Sequence, residues 1–195
     1  MKTFIPVILL LFFFVSPVSA VVPINGETIH DAQVYGVEKR QLPFREFLLP
    51  WTAYEEKAVK ISDASDHAIL YTPFLLIANN VRDKARAGLT TDMADIENVL
   101  TDYAGYYTFT IVIHDEIKKA SVVVAQGKNN IAASDVIIDE PEVVKIKDNE
   151  KPRYATRVYS YFYSKDIISR QPIFLKVEGN NKQKYSFFFN LPKLK

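Results

Sequence analysis

Residues 71–115 read YTPFLLIANNVRDKARAGLTTDMADIENVLTDYAGYYTFTIVIHD, and this stretch contains two helix patterns followed by a strand pattern. Thr72 can accept hydrogen bonds from the free amides of a first helical turn, and Pro73 is tolerated at its first position. Apolar residues then recur at spacings of three and four as far as Ala85, and Gly88 supplies a left-handed residue after the last turn. The pattern predicts a helix that begins at Pro73 and ends before Gly88.

A second helix is predicted between Asp92 and Gly105. Thr91 or Asp92 can cap its first turn, and acidic residues are favourable near this positive end of the helix dipole. Its apolar stripe consists of Met93, Ile96, Leu100 and Tyr103. The two helices are expected to form a helical hairpin over about residues 73–104.

After Gly105 the pattern of apolar residues changes from the period of a helix to a period of two residues, which is that of a strand. One face of the predicted strand carries the apolar residues Tyr107, Phe109, Ile111 and Ile113. The other face alternates from Tyr106 to His114 and is more polar. We expect a strand at or near the centre of a sheet.

Residues 1–20 have the parts of a secretory signal peptide. Lys2 precedes an apolar run over residues 4–15, and Val18-Ser19-Ala20 fits a small-residue cleavage site. We therefore expect cleavage near Ala20 and an extracytoplasmic location, secreted or periplasmic. The apolar run is shorter than the ~20 residues of a membrane span, and no span is expected in the mature chain.

Residues 21–195 are numerous enough for a single globular domain with an ordinary apolar core. The chain has no cysteine, which excludes disulfides and thiolate chemistry and, together with the absence of Asn-x-Ser/Thr, favours a bacterial source. One of the 24 basic residues is Lys2 in the signal, which leaves 23 basic against 23 acidic residues. Because this balance gives no long-range attraction to polyanions, nucleic acid is not an expected partner.

The segments on either side of the hairpin are predicted to be mostly β. Residues 32–37 predict an N-terminal strand among loops, and the aromatic residues 44–54 predict either a kinked buried strand or a flap over the core. Residues 127–142 are predicted to be mostly loop. Further strands are predicted at residues 120–126, 142–147, 154–164, 173–178 and 183–191, of which the last two form a hairpin.

Together these patterns predict a mainly β fold that is α+β by content. Its architecture is expected to be an antiparallel β-sandwich or a curled sheet, with the two-helix hairpin inserted over about residues 73–104. The helices are expected to pack on one end or face of the sheet.

The sequence lacks the glycine spacing of a phosphate-binding loop or a dinucleotide fingerprint, and it lacks Gly-x-Ser-x-Gly, so no cofactor is expected. His30, His67 and His114 each lie near a carboxylate in the sequence. Two or three of them brought together would hold zinc or act as a general base. No pair has ligand spacing on one element, and no metal site is predicted.

Aromatic residues provide the remaining binding candidates. Tyr159, Tyr161 and Tyr163 share one face of a predicted strand, where they are either core under the helical hairpin or an exposed ladder. Core is the favoured interpretation, because a helical layer needs a broad apolar face to cover. The further weak candidates are Asn79, Asn80, Arg82 and His114.

Asn79 and Asn80 are unusual inside a helix, because asparagine competes with the helical backbone for hydrogen bonds. We expect them to hydrogen-bond to the sheet, with the lining of a pocket as the alternative.

Two functions of different classes follow from these features. The first is an exported noncatalytic module that binds a protein or a cell-envelope component. The alternative is an exported hydrolase or metal-binding protein with a histidine and carboxylate site. An accessory subunit that pairs an uncovered strand with a partner is a third, weaker option.

Overall fold

The structure, a computed structural model, describes residues 25–62, 65–103, 105–144, 153–180 and 182–195. The predicted signal peptide lies outside these residues. The helices are α1 (Gly26–Glu38), α2 (Phe44–Leu48), α3 (Pro73–Arg86) and α4 (Met93–Asp102), and single 3₁₀ turns cover Leu49–Trp51, Ser164–Asp166 and Leu191–Lys193.

The strands form two antiparallel sheets, which confirms the mainly β, α+β fold class. Their bounds are β1 (Thr52–Tyr54), β2 (His67–Tyr71), β3 (Tyr106–Ile113), β4 (Ala120–Gln126), β5 (Asn129–Ala132), β6 (Asp135–Ile138), β7 (Glu142–Val144), β8 (Arg153–Tyr163), β9 (Ile173–Gly179) and β10 (Lys184–Phe189). The first sheet has the order β1-β2-β3-β8-β6, with β7 also paired to β8, and the second has the order β10-β9-β4-β5. As predicted, β3 is central, and β9 and β10 form a hairpin.

The two sheets pack face to face around a core that contains Phe109, Phe162 and Leu175. They are also linked at their edges. Glu55, just after β1, forms a bridge with Phe187 of β10. On the other side, the chain passes from β5 in the second sheet to β6 in the first. The two sheets of the sandwich are therefore connected along both edges. The structure thus combines features of the sandwich and of the curled sheet that the sequence predicts.

The outer face of the first sheet carries a helical layer with its own apolar cluster. Ile69 of β2 packs there with residues of α1, the 44–51 segment and α3. The α1 and α3 helices approach closely at Gly36, where a Cβ atom would lie 2.5 Å from the Ala78 carbonyl oxygen. Only glycine permits this approach without displacement of the backbone.

The helical hairpin has the predicted end signals. The Thr72 hydroxyl accepts from the Leu75 amide at 3.2 Å at the start of α3. Asp92 and Asp95 form a reciprocal capping box at the start of α4. Gly88 adopts a φ of 74° after α3, in the left-handed region that the sequence analysis assigned to it.

The prediction of a strand at residues 32–37 is wrong, because these residues belong to α1. Asn25 caps this helix by accepting from the Thr28 amide at 2.8 Å, and Thr28, Ala32 and Gly36 are buried at four-residue spacing. In the sequence, Gly36 suggests the end of a regular element, but in the structure it is the point at which two helices are in contact. Local signals could not reveal this contact.

Three other segments differ from the predictions. Residues 44–54 form α2, a 3₁₀ turn and β1 rather than one kinked strand or a flap, and they bury Phe47 and Trp51. Residues 129–132 and 135–138 are strands where mostly loop was expected, because the polar first segment pairs with β4 and the largely apolar second segment pairs with β8. Residues 67–71, which were not predicted to be a strand, form β2. The predicted strand at residues 142–147 begins with β7, and residues 145–147 lie outside the described residues.

Candidate functional site

The tyrosines of β8 lie on the outer face of the first sheet, not in the sandwich core. Val158 and Phe162 of β8 point into the core and are fully buried. Tyr159, Tyr161 and Tyr163 alternate with them, and Tyr163 is 44% exposed. The favoured interpretation of these tyrosines as core is therefore wrong for Tyr163, whereas Tyr159 and Tyr161 are half-buried, because the helices pack around Ile69 nearer the β2 edge of this face.

The central strand extends this aromatic face. Tyr106 of β3 is the register partner of Tyr163 and is itself 41% exposed. Their ring centroids are 5.1 Å apart, and Tyr106 makes an edge contact with Tyr161 at 6.4 Å. The Tyr163 hydroxyl raises the pKa of Tyr106 through a hydrogen bond and repulsion between the phenolates. These contacts restrict the positions of the rings.

Two further exposed residues adjoin this face of the sheet. Ile137 of β6 is the register partner of Tyr159 and is 47% exposed. Tyr103, at the end of α4, is also exposed and lies near Tyr71. We define the tyrosine surface as Tyr103, Tyr106, Ile137, Tyr159, Tyr161 and Tyr163.

Groups of opposite charge border the tyrosine surface. The Tyr159 hydroxyl donates to Asp139 Oδ2 at 3.1 Å. The pKa of Tyr159 is raised mainly by burial and further by this carboxylate. The Lys165 ammonium lies 5.1 Å from the centre of the Tyr163 ring. A ligand that covers the rings therefore meets a carboxylate near one tyrosine and an ammonium near another.

Asn79 and Asn80 line a shallow cavity of about 400 Å³ between α3 and α4. The Oδ1 atoms of both are shielded from solvent and accept no hydrogen bond from the described residues. The expected hydrogen bonds to the sheet are therefore not formed by these oxygens, and the pocket alternative describes them better.

Arg82 is buried rather than available to a ligand. Its guanidinium lies 5.1 Å from the Phe44 ring centre and 5.0 Å from that of Phe47. Nη2 donates to the Leu42 carbonyl at 3.1 Å, and Nη1 pairs with Asp83 at 3.1 Å. These contacts assign Arg82 to packing of the helical layer.

His114 pairs with an acid that is distant in sequence. Its Nδ1 donates to Asp66 Oδ1 at 3.2 Å, and its backbone amide donates to the same oxygen at 2.7 Å. His67 lies on the neighbouring strand and donates through Nδ1 to the Ser65 carbonyl at 2.9 Å. His30 is exposed on α1, and no described contact joins it to the other two.

The environment of these histidines is partly shielded. Burial lowers the pKa of His67, and the charges of His114 and Arg45 act in the same direction, against the hydrogen bond to Ser65. This leaves His67 neutral at pH 7.

Acidic residues surround a nearby phenol of the second sheet. Burial raises the pKa of Tyr185 to about 12, with further contributions from Asp115, Asp66 and Glu55. Within the described residues, no group of three or more histidines and carboxylates could hold a metal ion.

Sequence reasoning missed Tyr103 and Tyr106 as members of the aromatic face and Asp66 as the partner of His114. The alternation after Gly105 already places Tyr106 opposite the buried face of β3. The strand pairing that brings it to Tyr163 has no signal in the sequence.

Comparisons with protein-family models, curated proteins and solved structures found no match. None of the described helices is long and apolar enough to cross a membrane. The function of this chain is therefore inferred from the geometry and chemistry of its site.

Proposed function

We propose that this protein is a noncatalytic extracytoplasmic module that binds a protein or cell-envelope component through the tyrosine surface. One observation carries the proposal: aromatic rings of adjacent strands contact one another on a sheet face that the helical layer leaves partly uncovered. Exposed aromatic groups of this kind are typical of interaction sites.

Tyrosine suits such a surface for physical reasons. Each ring offers a large apolar area and a polar hydroxyl, with few torsions to fix on binding. The contacts of Tyr106 with Tyr161 and Tyr163 already restrict these torsions, which reduces the entropy lost when a ligand binds. Asp139 and Lys165 then favour a ligand with complementary charges at two positions.

The extracytoplasmic location is part of the same proposal. It rests on Lys2, the apolar run of residues 4–15 and the cleavage sequence Val18-Ser19-Ala20. Intact-mass measurement of the protein recovered outside the cytoplasm tests it. The expected mass is that of a chain whose first residue is Val21. Recovery of only the uncleaved chain, from the cytoplasm, would contradict the extracytoplasmic location.

The binding proposal is tested with the mature protein immobilised and exposed to a solubilised envelope extract of the organism that encodes it. Bound species are quantified by mass spectrometry. The amount of ligand retained by a Tyr106→Ser/Tyr163→Ser variant is expected to be lower than that of the wild type by about tenfold or more, since aromatic residues dominate the binding energy at such surfaces.

The chain offers a matched control on its second sheet. Phe174 and Phe188 are also exposed, and their ring centroids are 5.2 Å apart. A Phe174→Ser/Phe188→Ser variant is expected to retain the ligand as the wild type does. Equal retention by the tyrosine variant, or no reproducible ligand for the wild type, would overturn the proposal.

A second candidate function, an extracytoplasmic hydrolase, is favoured by the contact of His114 with Asp66. A carboxylate on Nδ1 orients an imidazole and leaves Nε2 to act as a base. The same carboxylate also binds the His114 amide, so a purely structural role accounts for the contact. Hydrolysis of chromogenic esters and amides by the wild type that is lost in His114→Gln would support this candidate. Hydrolysis by both proteins at the same background rate would contradict it.

A further inference from the structure

A second cavity, of about 470 Å³, lies between α1, the 3₁₀ turn at Leu49–Trp51, the start of α3 and the C-terminal segment. Its residues differ from those of the tyrosine surface. Its walls include three aromatic side chains, two carboxylates and two lysines, Lys193 and Lys195.

The aromatic walls are Tyr35, Trp51 and Phe74. The Tyr35 ring centre lies 5.5 Å from that of Trp51 and 6.0 Å from that of Phe74, and the latter two rings stack at 5.7 Å. The Tyr35 hydroxyl donates to the Phe47 carbonyl at 3.0 Å. The three rings are therefore held together as a preformed wall, in which Trp51 and Phe74 are largely buried and Phe74 lies within cation–π distance of Lys195.

The cavity wall offers two carboxylates to a cation, which balance the ammonium groups of Lys193 and Lys195. Asp31 and Glu38 line the cavity with Tyr35, and all three lie on α1, which contains no lysine or arginine. Residues separated by three or four positions share one face of a helix, so the two carboxylates lie on either side of the tyrosine.

One ammonium group of the chain itself already occupies this position. Lys195 Nζ lies 3.4 Å from Asp31 Oδ2 and 5.9 Å from the centre of the Phe74 ring. The Lys195 carbonyl accepts from Trp51 Nε1 at 2.9 Å and from the Thr72 hydroxyl at 2.7 Å. The backbone is thus fixed by two hydrogen bonds, whereas the charged end is held by a cation–π contact with Phe74, at the edge of its range, and by an ion pair whose side chains are 69% and 49% exposed.

We propose that this cavity, the ammonium pocket, binds the side chain of a lysine presented by another polypeptide, and that Lys195 is its intramolecular competitor. Exposed ion pairs contribute little and exchange readily, so an incoming ammonium can replace that of Lys195. A lysine side chain supplies both the charge for Asp31 and the methylene groups that pack against aromatic rings.

Trp51 is the single tryptophan of the chain, so its fluorescence reports on the ammonium pocket. The probe is N-acetyl-lysine methylamide, a lysine in polypeptide form. Its Nε-acetylated counterpart, which has no charge, is the ligand control. Saturable change in Trp51 fluorescence is expected with the charged probe alone.

Two variants distinguish recognition of the charge from nonspecific binding of the probe. Lys195→Met is expected to lower the dissociation constant of the probe about fivefold, since it removes a competitor of surface ion-pair strength. Addition of Asp31→Asn to that variant is expected to raise the constant about fivefold. The matched control is Glu27→Gln, which removes an exposed α1 carboxylate outside the pocket and should leave the constant unchanged.

Three outcomes would overturn the inference: no saturable response in Lys195→Met, an equal response to the uncharged counterpart, or no effect of Asp31→Asn. Far-ultraviolet circular dichroism of each variant verifies that it is folded. Because the tyrosine surface contributes no residue to this pocket, failure here leaves the proposed function to its own experiment.

Discussion

Arg82 illustrates how one buried charge can organise the helical layer, since only 2% of the residue is exposed. Replacement by lysine keeps the charge but removes the planar group that contacts Phe44 and Phe47 and donates to Leu42. We expect Arg82→Lys to lower the free energy of unfolding by about 2 kcal/mol, from the lost stacking and the weakened hydrogen bond. Urea unfolding followed by circular dichroism measures this change.

Arg86→Lys, on an exposed position of the same helix, is the matched control for Arg82→Lys. It is expected to change the free energy of unfolding by less than about 0.5 kcal/mol. If both variants unfolded at the same urea concentration as the wild type, the packing role of Arg82 would be refuted.

His67 makes the stability of the fold depend on pH in a defined direction. Its pKa in the folded protein is lowered by burial and by His114 and Arg45, against the hydrogen bond to Ser65 and the attraction of Asp66, so the unfolded chain takes up the proton at higher pH. Stability contributed by neutral His67 is present above the ordinary histidine pKa of ~6.5 and declines as the pH falls below it. His67→Gln should therefore lose less stability than the wild type between about pH 7.5 and about pH 5.

The control for this pH experiment is His30→Gln, because His30 is exposed on α1. Its pH profile of unfolding free energy should run parallel to that of the wild type, while the profile of His67→Gln is flatter. His114 is retained in all three proteins. Parallel profiles for His67→Gln and the wild type would show that His67 does not carry the effect.

At the level of helices and strands, the sequence predicted those elements whose signals are local. Thr72 and Asp92 bind amides within three residues, and Gly88 needs only its own backbone angle, so the hairpin was predictable at its ends. The α1 helix has a local start signal in Asn25, but Gly36 favours a break, and its role as a contact with Ala78 depends on a residue far away in the sequence.

The candidate site shows the same division between local and distant information. Alternation along β8 correctly placed its tyrosines on one face, since side chains of a strand alternate by geometry alone. Whether that face meets solvent depends on where α1 and α3 pack, and the periodicity of β8 contains nothing about this. The pairing of Asp66 with His114 likewise follows from the register of β2 and β3.

The contact of α1 with α3 gives a prediction about these elements. The Cβ atom of Gly36→Ala would lie 2.5 Å from the Ala78 carbonyl oxygen and 2.9 Å from Val81 Cβ, so the helices must separate. We expect a loss of about 1–3 kcal/mol in the free energy of unfolding, the usual cost of overpacking. Thermal and urea denaturation provide the measurement.

Gly26→Ala is the control on the same helix, because a Cβ atom there meets nothing within 4 Å. Alanine is the better helix former, so this variant should be as stable as the wild type or slightly more stable. If Gly36→Ala behaved like Gly26→Ala, the close approach of the two helices would be disproved.

On the scale of the whole molecule, the described residues form two apolar clusters, one on each face of the first sheet. Because β2 contributes Leu70 to one and Ile69 to the other, neither cluster can lose its packing without disturbing the strand that the other needs. Leu194 packs against both clusters and adds a second link. We therefore expect residues 25–195 to unfold as one cooperative unit.

Trp51, in the helical layer, tests this cooperativity from one side of the sheet. Leu175 and Leu75 are fully buried in the sandwich core and the helical layer, respectively. Each Leu→Ala variant should lose about 2–5 kcal/mol, and both should shift the Trp51 fluorescence transition together with the circular dichroism transition. The exposed Leu89→Ala should shift neither. A Leu175→Ala protein whose Trp51 transition stayed at the wild-type midpoint would show that the helical layer unfolds separately from the sandwich, and the single-domain prediction would then be wrong.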